Sequence, residues 1–356
     1  MSYKDPNYIR TQTLLDAFSR IENVQLFVIR NKHKGTLRYL DTFIRLVKFR
    51  LRNNADVFVL GFRAHESFWL FYPLVRKSAV VFDEFINIHD WLVSEHKILK
   101  ENSLRIRLVD RYMKWVSRKS DILLTDTLSH KKSAEKLYGI SNSKVVVVPV
   151  GTDETIFSPQ KQTAKNDVFE VLFYGSMLPL HGLDTILESI KLTSKQNKNI
   201  HFTIVGGKGN SKMIQKIDNY IQNNTLQQST KHIDWVDFKK LPQYISRASL
   251  CLGGPFGNTG QATRVITGKT FQFIAMGKPT IIGKNLESSV FTDEIDALVV
   301  EQDRSDLLSK KIIWAYDYPD KLSQIGKNAR ELYVKTYSVE NRAKSLEPII
   351  NLVKSK

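Results

Sequence analysis

The sequence contains one cysteine, Cys251, among 356 residues. A single cysteine excludes a disulfide framework and a cysteine-rich zinc site. No stretch approaches the ~18 consecutive apolar residues that a membrane span requires, and the first residues contain no apolar signal-peptide region. We therefore expect a cytoplasmic protein. With 42% hydrophobic and 25% charged residues, the composition is globular and excludes a disordered, collagen-like or coiled-coil chain.

Basic residues are in excess: 53 lysines and arginines against 36 aspartates and glutamates give a net charge of +17. Residues 1–150 carry 26 basic and 15 acidic residues, and the densest basic stretch, Arg30–Arg52, contains only Asp41 as an acid. Such a stripe attracts an anionic membrane surface, a phosphorylated substrate or nucleic acid, or it is an ordinary solvated helix face. No nucleic-acid motif accompanies it, so we expect no nucleic-acid partner.

Short apolar runs alternate with helical patterns along the chain, which is typical of parallel sheets built from strand–helix units. Their richness in Val, Ile and Leu is that of strands buried on both faces. The longest amphipathic stretch between runs extends from His89 to Ser120. We predict strands at Val24–Arg30, Asp56–Phe62, Ala79–Phe85, Asp121–Thr127, Lys144–Gly151, Phe169–Gly175, His201–Gly207, His232–Val236, Leu250–Gly254, Pro279–Gly283 and Ala297–Glu301.

The pattern predicts an α/β fold with two doubly wound, Rossmann-like domains. We place the N-terminal domain at residues 1–157, a polar linker at 158–166, the C-terminal domain at 167–336, and a C-terminal helix that packs back toward the N-terminal domain at 337–356. Ligands of open α/β sheets bind beyond the carboxyl ends of the strands. We therefore expect the site in a cleft between the domains and look at the residues that follow each strand.

Three strand ends of the second half are rich in glycine. Glycine lets backbone N–H groups and a helix N-terminus approach an anion, although turns between strands and helices often carry glycine for other reasons. Phosphate-binding candidates in these loops are Gly175, Ser176, Gly182, Gly206, Gly207, Gly254, Gly257, Asn258 and Thr259.

Charged and aromatic groups accompany these loops. Arg264 and Lys269 precede a predicted helix at Thr270–Met276 and suit a diphosphate, since one cation is fork-shaped and the other a point charge. A solvated loop with incidental basic residues is the alternative. His181 would stand beside the anion as a hydrogen-bond donor. Trp235 either stacks on a nucleotide base or belongs to the core.

Several segments occur in the order found in one enzyme family. Gly268–Ile282 resembles the nucleotide-binding segment of family 4 (group 1) GT-B glycosyltransferases, commonly K-x-x-E-x-x-A-x-G-x-P-V-I. Pro149–Phe157 is similar to their P-x-G-x-D-x-x-x-F, Gly175–Gly182 to their G-R-L-x-x-x-K-G loop, and Leu241–Leu250 to a further helix and strand. The resemblance spans about residues 145–340 and implies the GT-B fold, two Rossmann-like domains facing a central cleft.

The sequence departs from the family pattern at four positions. The two usual glutamates, eight residues apart, fall on Arg264 and Gln272, and the loop arginine and lysine fall on Ser176 and His181. The resemblance assigns the loop cations to diphosphate neutralisation, which Arg264 and Lys269 can supply with a hydrogen bond from His181. It assigns the second glutamate to the ribose, where Gln272 can accept a weaker hydrogen bond. We interpret these changes as a subfamily trait.

The first half departs further. The resemblance implies a strand and a glycine-rich loop before the first helix, whereas Asn7–Arg10 leads directly into a helix. We expect that strand to be missing, either because the start codon is assigned too late or because the sheet has lost it. Asp83 and Glu84 follow a strand where many relatives carry an active-site histidine. Carboxylates there can orient an acceptor hydroxyl or stabilise positive charge at the anomeric carbon. Helix capping by Asp83 or Asp90 is the alternative.

The resemblance implies a retaining glycosyltransferase that moves a sugar from a nucleotide diphosphate to a glycan or lipid-linked acceptor in polysaccharide or glycolipid assembly. The basic first half suggests a polyprenyl-linked or other anionic acceptor at the inner membrane face. The resemblance implies no cofactor beyond the nucleotide sugar and no metal. The expected catalytic residues are Arg264, Lys269, His181, Asp83 and Glu84. Alternatives are a nucleotide-sugar epimerase or glycoside phosphorylase of the same fold, and a non-catalytic GT-B-like binding or assembly protein.

Overall fold

The computed structural model describes residues 8–33, 35–95, 98–160 and 168–354. The chain divides into two compact units. Unit 1 comprises Met1–Gly151 and Val339–Lys356, and unit 2 comprises Thr152–Ser338. Each unit contains a parallel sheet with helices, which confirms the predicted fold class. Within the described residues, no helix combines the length and the apolar character needed to cross a bilayer.

The strands are short and the helices lie between them in the chain. The strands are β1 (Val57–Leu60), β2 (Ala79–Asp83), β3 (Ile122–Thr125), β4 (Val145–Val147), β5 (Phe169–Tyr174), β6 (Ile200–Val205), β7 (Thr230–Ile233), β8 (Leu250–Leu252), β9 (Thr280–Gly283) and β10 (Leu298–Val300). The helices are α1 (Ile9–Ser19), α2 (Leu37–Arg52), α3 (Phe68–Val75), α4 (Ile88–Asp90), α5 (Leu104–Lys119), α6 (Leu128–Tyr138), α7 (Leu183–Gln196), α8 (Ser211–Asn223), α9 (Leu241–Arg247), α10 (Gly268–Ala275), α11 (Ser305–Asp317), α12 (Pro319–Thr336), α13 (Val339–Ser345) and α14 (Glu347–Lys354).

The sheet of unit 1 has the order β1-β2-β3-β4, and every neighbouring pair is parallel. Successive side chains of a strand point to opposite faces. Along β2, Val80 and Phe82 therefore join one hydrophobic core, while Val81 joins a second core on the other face. Both faces are covered, which explains the continuous apolar runs of the sequence.

The predicted strand at Val24–Arg30 is wrong. This segment is irregular, apart from an isolated bridge at Arg30. Phe27 packs on Phe49 of α2 with ring centroids 5.3 Å apart, and it remains 47% exposed. The apolar run covers a helix rather than pairing in a ladder. The strand that the resemblance places before the first helix would lie before Tyr8, outside the described residues.

The amphipathic stretch from His89 to Ser120 is interrupted. It begins with α4 and a π-helical turn at Trp91–Glu95, and only its later part forms the long helix α5. Asn102 has a positive φ of 67°, and the Ser103 hydroxyl oxygen accepts a hydrogen bond from Ile106 N at 3.3 Å. This cap starts α5, because a helix needs an acceptor for its first free N–H groups.

The sheet of unit 2 has the order β10-β9-β8-β5-β6-β7 with all pairs parallel. This is the doubly wound order in which the chain reverses direction across the sheet between β5 and β8. Loops that follow β5 and β8 therefore leave the sheet on either side of a crevice. That crevice is the usual ligand position in such sheets.

The boundary between the units falls before the one expected at residue 157. Phe157 is fully buried in unit 2, packed with Leu172 of β5 and Ile245 of α9, so this residue belongs to the second core. Of the linker expected at 158–166, residues 161–166 lie outside the described residues. After Ser338, helices α13 and α14 return to unit 1, where Ile349 joins the core formed with α1.

Candidate functional site

The loops selected from the sequence follow four neighbouring strands of unit 2. They leave the carboxyl ends of β8, β5, β6 and β7, which are adjacent in the sheet. Thr267 fixes the start of α10 against the end of β8, because its hydroxyl donates to Gly253 O at 2.7 Å. The loops after β5 and β8 lie at the switch point of the sheet, where open α/β sheets usually bind ligands.

Two of these loops meet backbone to backbone. Gly257 N donates to Leu180 O at 3.0 Å. A Cβ atom on Gly257 would overlap the carbonyl oxygen of Pro179, and one on Gly182 would overlap the backbone of Phe256. Gly182 also has a φ of +67°, which disfavours other residues. These glycines are required for the approach of the two loops, whatever they contribute to a ligand.

The loops after β5 and β6 also touch through their backbones. A Cβ atom on Gly206 would overlap the carbonyl oxygen of Gly175. Gly207 has a φ of +106°, and its Cβ position is 3.0 Å from Ile214 Cγ1 of α8. Ser176 is exposed directly after Gly175. The predicted glycines thus shape one continuous surface at the carboxyl edge of this sheet.

Lys269 is buried at this edge. It is a residue of α10 and only 6% exposed. Its Cε atom is 3.3 Å from the position that a Cβ on Gly175 would take, and its Nζ atom is 5.2 Å from the Phe173 ring centroid. No carboxylate among the described residues pairs with it. Burial lowers the pKa of Lys269 to about 7, since a low-dielectric surrounding disfavours the ammonium.

His181 lies beside the same glycine. Its Cε1 and Nδ1 atoms are both 3.0 Å from the Cβ position of Gly175, and its ring meets Phe173 edge-on at 6.1 Å. Nδ1 is buried and has no hydrogen-bond partner among the described residues. Burial, and then the charge of Lys269, lower the pKa of His181 well below its ordinary value. A neutral imidazole and a lysine amine with a pKa of about 7 therefore lie beside Gly175.

Arg264 belongs to the long loop between β8 and α10 and is partly exposed. The following residue, Val265, packs with Leu180 and Ala262 in a small apolar cluster. This contact attaches the arginine's loop to the turn that carries His181. Earlier in the loop, Thr259 Oγ1 accepts from Ala262 N at 3.2 Å, while Gly254 has a φ of +71° and Asn258 is exposed.

Gln272 is already hydrogen-bonded within unit 2. The sequence predicts that its amide oxygen accepts a hydrogen bond from a ribose hydroxyl. In the structure, Gln272 is buried and its Oε1 accepts from the Tyr174 hydroxyl. An amide oxygen has two lone pairs, so Oε1 can accept a second hydrogen bond, and Nε2 can donate one. The ribose contact stays a prediction.

Trp235 is not a core residue, so that alternative is wrong. It follows β7 and is 51% exposed. The Lys208 ammonium lies 3.6 Å from the centroid of its ring, within the range of a cation–π contact. Lys208 comes from the loop after β6, so the two loops approach each other here. Stacking of a base on Trp235 remains a prediction.

In unit 1, Asp83 is committed to an ion pair. Arg10 of α1 donates from Nε and Nη2 to Asp83 Oδ1 at 3.1 and 2.9 Å, and both side chains are at most 1% exposed. The guanidinium also donates to the carbonyl oxygens of Val148 and Thr125. Such a pair holds the ends of three strands to α1. Helix capping by Asp83 is wrong, since Asn87 caps α4 through Asp90 N at 3.1 Å.

Glu84, unlike Asp83, is not ion-paired among the described residues, and one of its carboxyl oxygens has no hydrogen-bond partner there. Its Oε1 accepts from the Tyr138 hydroxyl and from Asn87 Nδ2 at 3.3 Å. Its Oε2 is buried and has no partner among the described residues. Burial raises the pKa of Glu84 to about 8, so this group is largely a neutral acid at pH 7.

The sequence reasoning missed Asp126 and His130 in unit 1. His130 Nδ1 lies 2.5 Å from Asp126 Oδ1, and both side chains are buried. Burial lowers the pKa of His130, but the neighbouring carboxyl groups, Asp126 foremost with Glu84 and Asp90, act against it and the net pKa is raised. The available signal was an aspartate and a histidine four residues apart at a strand-to-helix junction. Among the described residues, no group of His, Cys, Asp and Glu side chains forms a metal site.

The comparison with protein families concerns the unit that carries these loops. Residues 168–317 match the family described as glycosyl transferases group 1. The matched segment contains β5 to β10 and all the phosphate-binding candidates named above. No curated protein matches the chain.

Solved structures give the fold. HepE of Anabaena, crystallised with UDP, superposes with a TM-score of 0.72 at 12% identity and covers 99% of this chain and 98% of its own. Sucrose-phosphate synthase of Thermosynechococcus elongatus gives 0.71 at 14% identity, covering 90% and 79%. A glycosyltransferase of Rickettsia africae gives 0.68 at 13% identity, covering 94% and 85%. These solved structures show the GT-B class of fold for this chain.

A pH series tests the buried lysine. The pKa of Lys269 is about 7 in the folded chain and near 10.5 when unfolded, so the unfolded state binds more protons between these values. The free energy of unfolding should therefore rise with pH over this range, on the order of 3 to 5 kcal/mol from this group. Replacement Lys269→Met should remove that rise and stabilise the chain at pH 7, with Lys208→Met as the exposed control. If urea unfolding gave the same pH dependence of the free energy of unfolding for wild type and Lys269→Met, the lowered pKa of Lys269 would be contradicted.

Proposed function

We propose that this chain is a retaining glycosyltransferase, of the hexosyl-transferring kind, which moves a sugar from a nucleotide diphosphate to a glycan or lipid-linked acceptor. Surface polysaccharide or glycolipid assembly is the proposed setting. One observation carries the proposal: a buried ammonium without a carboxylate partner among the described residues lies at the switch point of a segment that matches group 1 glycosyl transferases. Such a group lacks a counter-ion, and an anionic ligand would supply one.

The diphosphate is the anion of the right chemistry. Donor cleavage leaves negative charge on the nucleotide diphosphate, so catalysis depends on groups that stabilise this charge. Lys269 supplies an amino group that becomes fully protonated, as an ammonium, beside a phosphate. His181, being neutral, supplies a hydrogen bond, and Arg264 adds a second cation. HepE has been crystallised with UDP and with UDP-glucose, which supports a nucleotide sugar as the ligand here.

The same arrangement explains the departures from the family pattern. Arg264 stands where a glutamate is usual, and Ser176 and His181 stand where cations are usual. Positive charge has therefore moved from the loop after β5 to the loop before α10, and these two loops meet backbone to backbone at Gly182 and Gly257. We propose that diphosphate neutralisation persists through this exchange and that the change marks a subfamily.

Two other functions make different use of these residues. An epimerase on this fold would convert the nucleotide sugar without an acceptor, whereas a transferase needs one. A non-catalytic binding protein would bind the nucleotide without cleaving the sugar bond. The replacement of both usual glutamates, at Arg264 and Gln272, is the observation that favours this second alternative.

Thermal unfolding in the presence of UDP, GDP, ADP, CDP and dTDP tests the donor site. A ligand at about 100 times its Kd adds about 2.7 kcal/mol, so we expect one nucleotide to raise the Tm by a few degrees. Replacement Arg264→Ala should lower turnover of the matching nucleotide sugar by at least about a hundredfold, as loss of a transition-state contact does. The matched control is Arg247→Ala at the end of α9.

The outcomes separate the alternatives. No stabilisation by any nucleotide would overturn the proposal as a whole. A folded Arg264→Ala variant with full turnover would remove this arginine from the site. Conversion of the sugar without an acceptor would instead indicate an epimerase.

We propose that the enzyme acts in the cytoplasm, on the inner face of an anionic membrane, through α2 of unit 1. This helix lies in the basic stretch Arg30–Arg52, of which Lys34 lies outside the described residues. Leu46 of α2 is buried in the core, while apolar side chains on its other face are exposed. The exposed residues are Leu37 at 62%, Leu40 at 56%, Ile44 at 43% and Leu51 at 80%. An apolar stripe flanked by cations is the pattern of interfacial helices.

Cosedimentation with liposomes tests this surface. Wild type should bind vesicles that contain anionic lipid and release them at high salt, because cation attraction and apolar insertion act together. Replacement of both Leu40 and Leu51 by Glu should abolish binding, whereas Leu286→Glu, at an equally exposed leucine of unit 2, should not. Binding that is independent of anionic lipid, or unchanged in the double variant, would contradict the proposal.

A further inference from the structure

Unit 2 contains a cavity that is separate from the loops of the nucleotide site. It lies between β10, which is terminal in the sheet, and the helix α11 that follows it, and β9 and β8 separate β10 from β5. Its volume is about 530 Å³, within the range of cavities that hold ligands. We call it the β10–α11 groove, after the two elements that line most of it.

One face of α11 forms the helical side of this groove. Leu307, Lys310, Lys311 and Trp314 line it, at the spacing that places residues on one helix face. Lys311 donates to Asp293 Oδ2 at 2.9 Å and to Glu294 Oε1 at 2.7 Å. Two carboxylates thus share one ammonium, which leaves an excess of negative charge there. Leu307 and Trp314 supply apolar surface beside it.

The other side of the groove is a strand edge that is partly open. Lys284 N donates to Val300 O at 2.7 Å, so the backbone of Val300 faces β9. Because alternate residues face opposite sides, the backbone groups of Val299 and Glu301 face away from β9. Val299 N is capped by Asp293 Oδ1 at 2.8 Å. Val299 O and Glu301 N make no hydrogen bond in the part of the chain that the structure describes.

These two atoms are the acceptor and the donor of one open position of a strand edge. Such an edge binds an extended segment of another chain through backbone hydrogen bonds, while pockets beside the strand receive its side chains. A groove with Leu307 and Trp314 on its helical side suits an extended segment with large apolar side chains. The geometry therefore selects a strand as the occupant.

Unit 1 contains a segment of this chemistry. Residues 24–30 have the composition of a strand but are irregular apart from an isolated bridge at Arg30. The backbone groups of residues 25–28 make no hydrogen bond among the described residues. Leu26, Phe27 and Val28 are 40%, 47% and 47% exposed. Pairing as a strand would satisfy these backbone groups and place Leu26 and Val28 on one face.

The charges fix the direction of pairing. Arg30 ends the segment, is exposed and forms no ion pair within the described residues. In the groove, Asp293 lies at the amino end of β10, where it bridges to Ala297. An incoming segment that runs antiparallel to β10 carries Arg30 toward this end. It thereby brings the cation to the carboxylates that share Lys311.

We propose that residues 24–30 of one chain add as an antiparallel strand to the β10–α11 groove of a second copy. The segment and the groove are different surfaces, so the contact is heterologous. Two copies that exchange segments form a closed dimer, whereas contacts that are not reciprocated form an open chain. This assembly does not rest on the proposed function.

Sedimentation velocity of the full chain, without lipid or nucleotide, tests the assembly. A single short strand buries less than the about 800 Å² per partner of a standard interface. We therefore expect association with rising concentration between about 1 and 100 µM. The segment variant, Leu26→Glu with Val28→Glu, and the groove variant, Leu307→Glu, should each weaken association at least about tenfold.

Matched controls separate this contact from general apolar adhesion. Leu104→Glu with Leu108→Glu changes two leucines of unit 1 that are 74% and 57% exposed, and Leu286→Glu changes one of unit 2 that is 67% exposed. These variants should associate as wild type does. A mixture of the segment variant and the groove variant should regain association. Each then supplies the surface that the other lacks.

Each outcome decides. Concentration-dependent association that both variants weaken, and that their mixture regains, supports the proposal. A monomer over the whole range overturns it, as does association that the segment variant leaves unchanged or the controls weaken equally. A mixture that stays monomeric also overturns it. If Leu307→Glu does not fold, a synthetic peptide of residues 24–30 replaces it: the peptide should dissociate wild type, and failure to do so more than a scrambled peptide overturns the groove.

Discussion

An ammonium group held away from water without a carboxylate partner among the described residues is the constraint on which the unit 2 site depends. Lys269 lies in α10 against the backbone of Gly175 and the ring of Phe173. Its charge is disfavoured there, which is why its pKa falls to about 7. A ligand that brings negative charge reverses this balance, so that protonation of the lysine and binding of the ligand strengthen each other.

Close backbone contacts create that environment. Gly175 leaves space for His181 and Lys269, and Gly206 lets the loop after β6 reach the loop after β5. Gly182 and Gly257 bring the loop after β8 to the same place. Any side chain at these positions would separate the loops and admit water to the lysine. The glycines therefore set the electrostatic environment of Lys269, because they allow the close approach of these loops.

Much of the fold could be predicted because strands buried on both faces of a sheet appear in the sequence as continuous apolar runs. The predicted runs in unit 2 correspond to β5–β10, and their parallel pairing followed from strand–helix alternation. Val24–Arg30 failed because an apolar run that covers a helix has the same composition as a strand. The core alternative for Trp235 failed for a related reason: the sequence does not say whether an aromatic ring is buried, and this ring is 51% exposed with a lysine from another loop over it.

The site was only partly predictable, since partners distant in sequence decide what each polar side chain can offer. Asp83 is ion-paired with Arg10, which lies 73 residues earlier. The amide oxygen of Gln272 accepts a hydrogen bond from Tyr174, which lies 98 residues earlier. The same tertiary contacts leave Glu84 Oε2 and His130 Nε2 unengaged among the described residues. Residue type and spacing selected candidate residues at the carboxyl edges of the two sheets. Only the packed structure shows which atoms on them are available.

The most direct test of the central claim is the proton uptake that accompanies nucleotide binding. Calorimetric titrations at pH 8, in buffers of differing ionisation enthalpy, measure it for the nucleotide that stabilises the chain. Because Lys269 is mostly neutral in the free protein at this pH, binding of the diphosphate should take up close to about one proton in wild type. In Lys269→Met the uptake should disappear. Binding without proton uptake, or equal uptake in both proteins, would contradict the account.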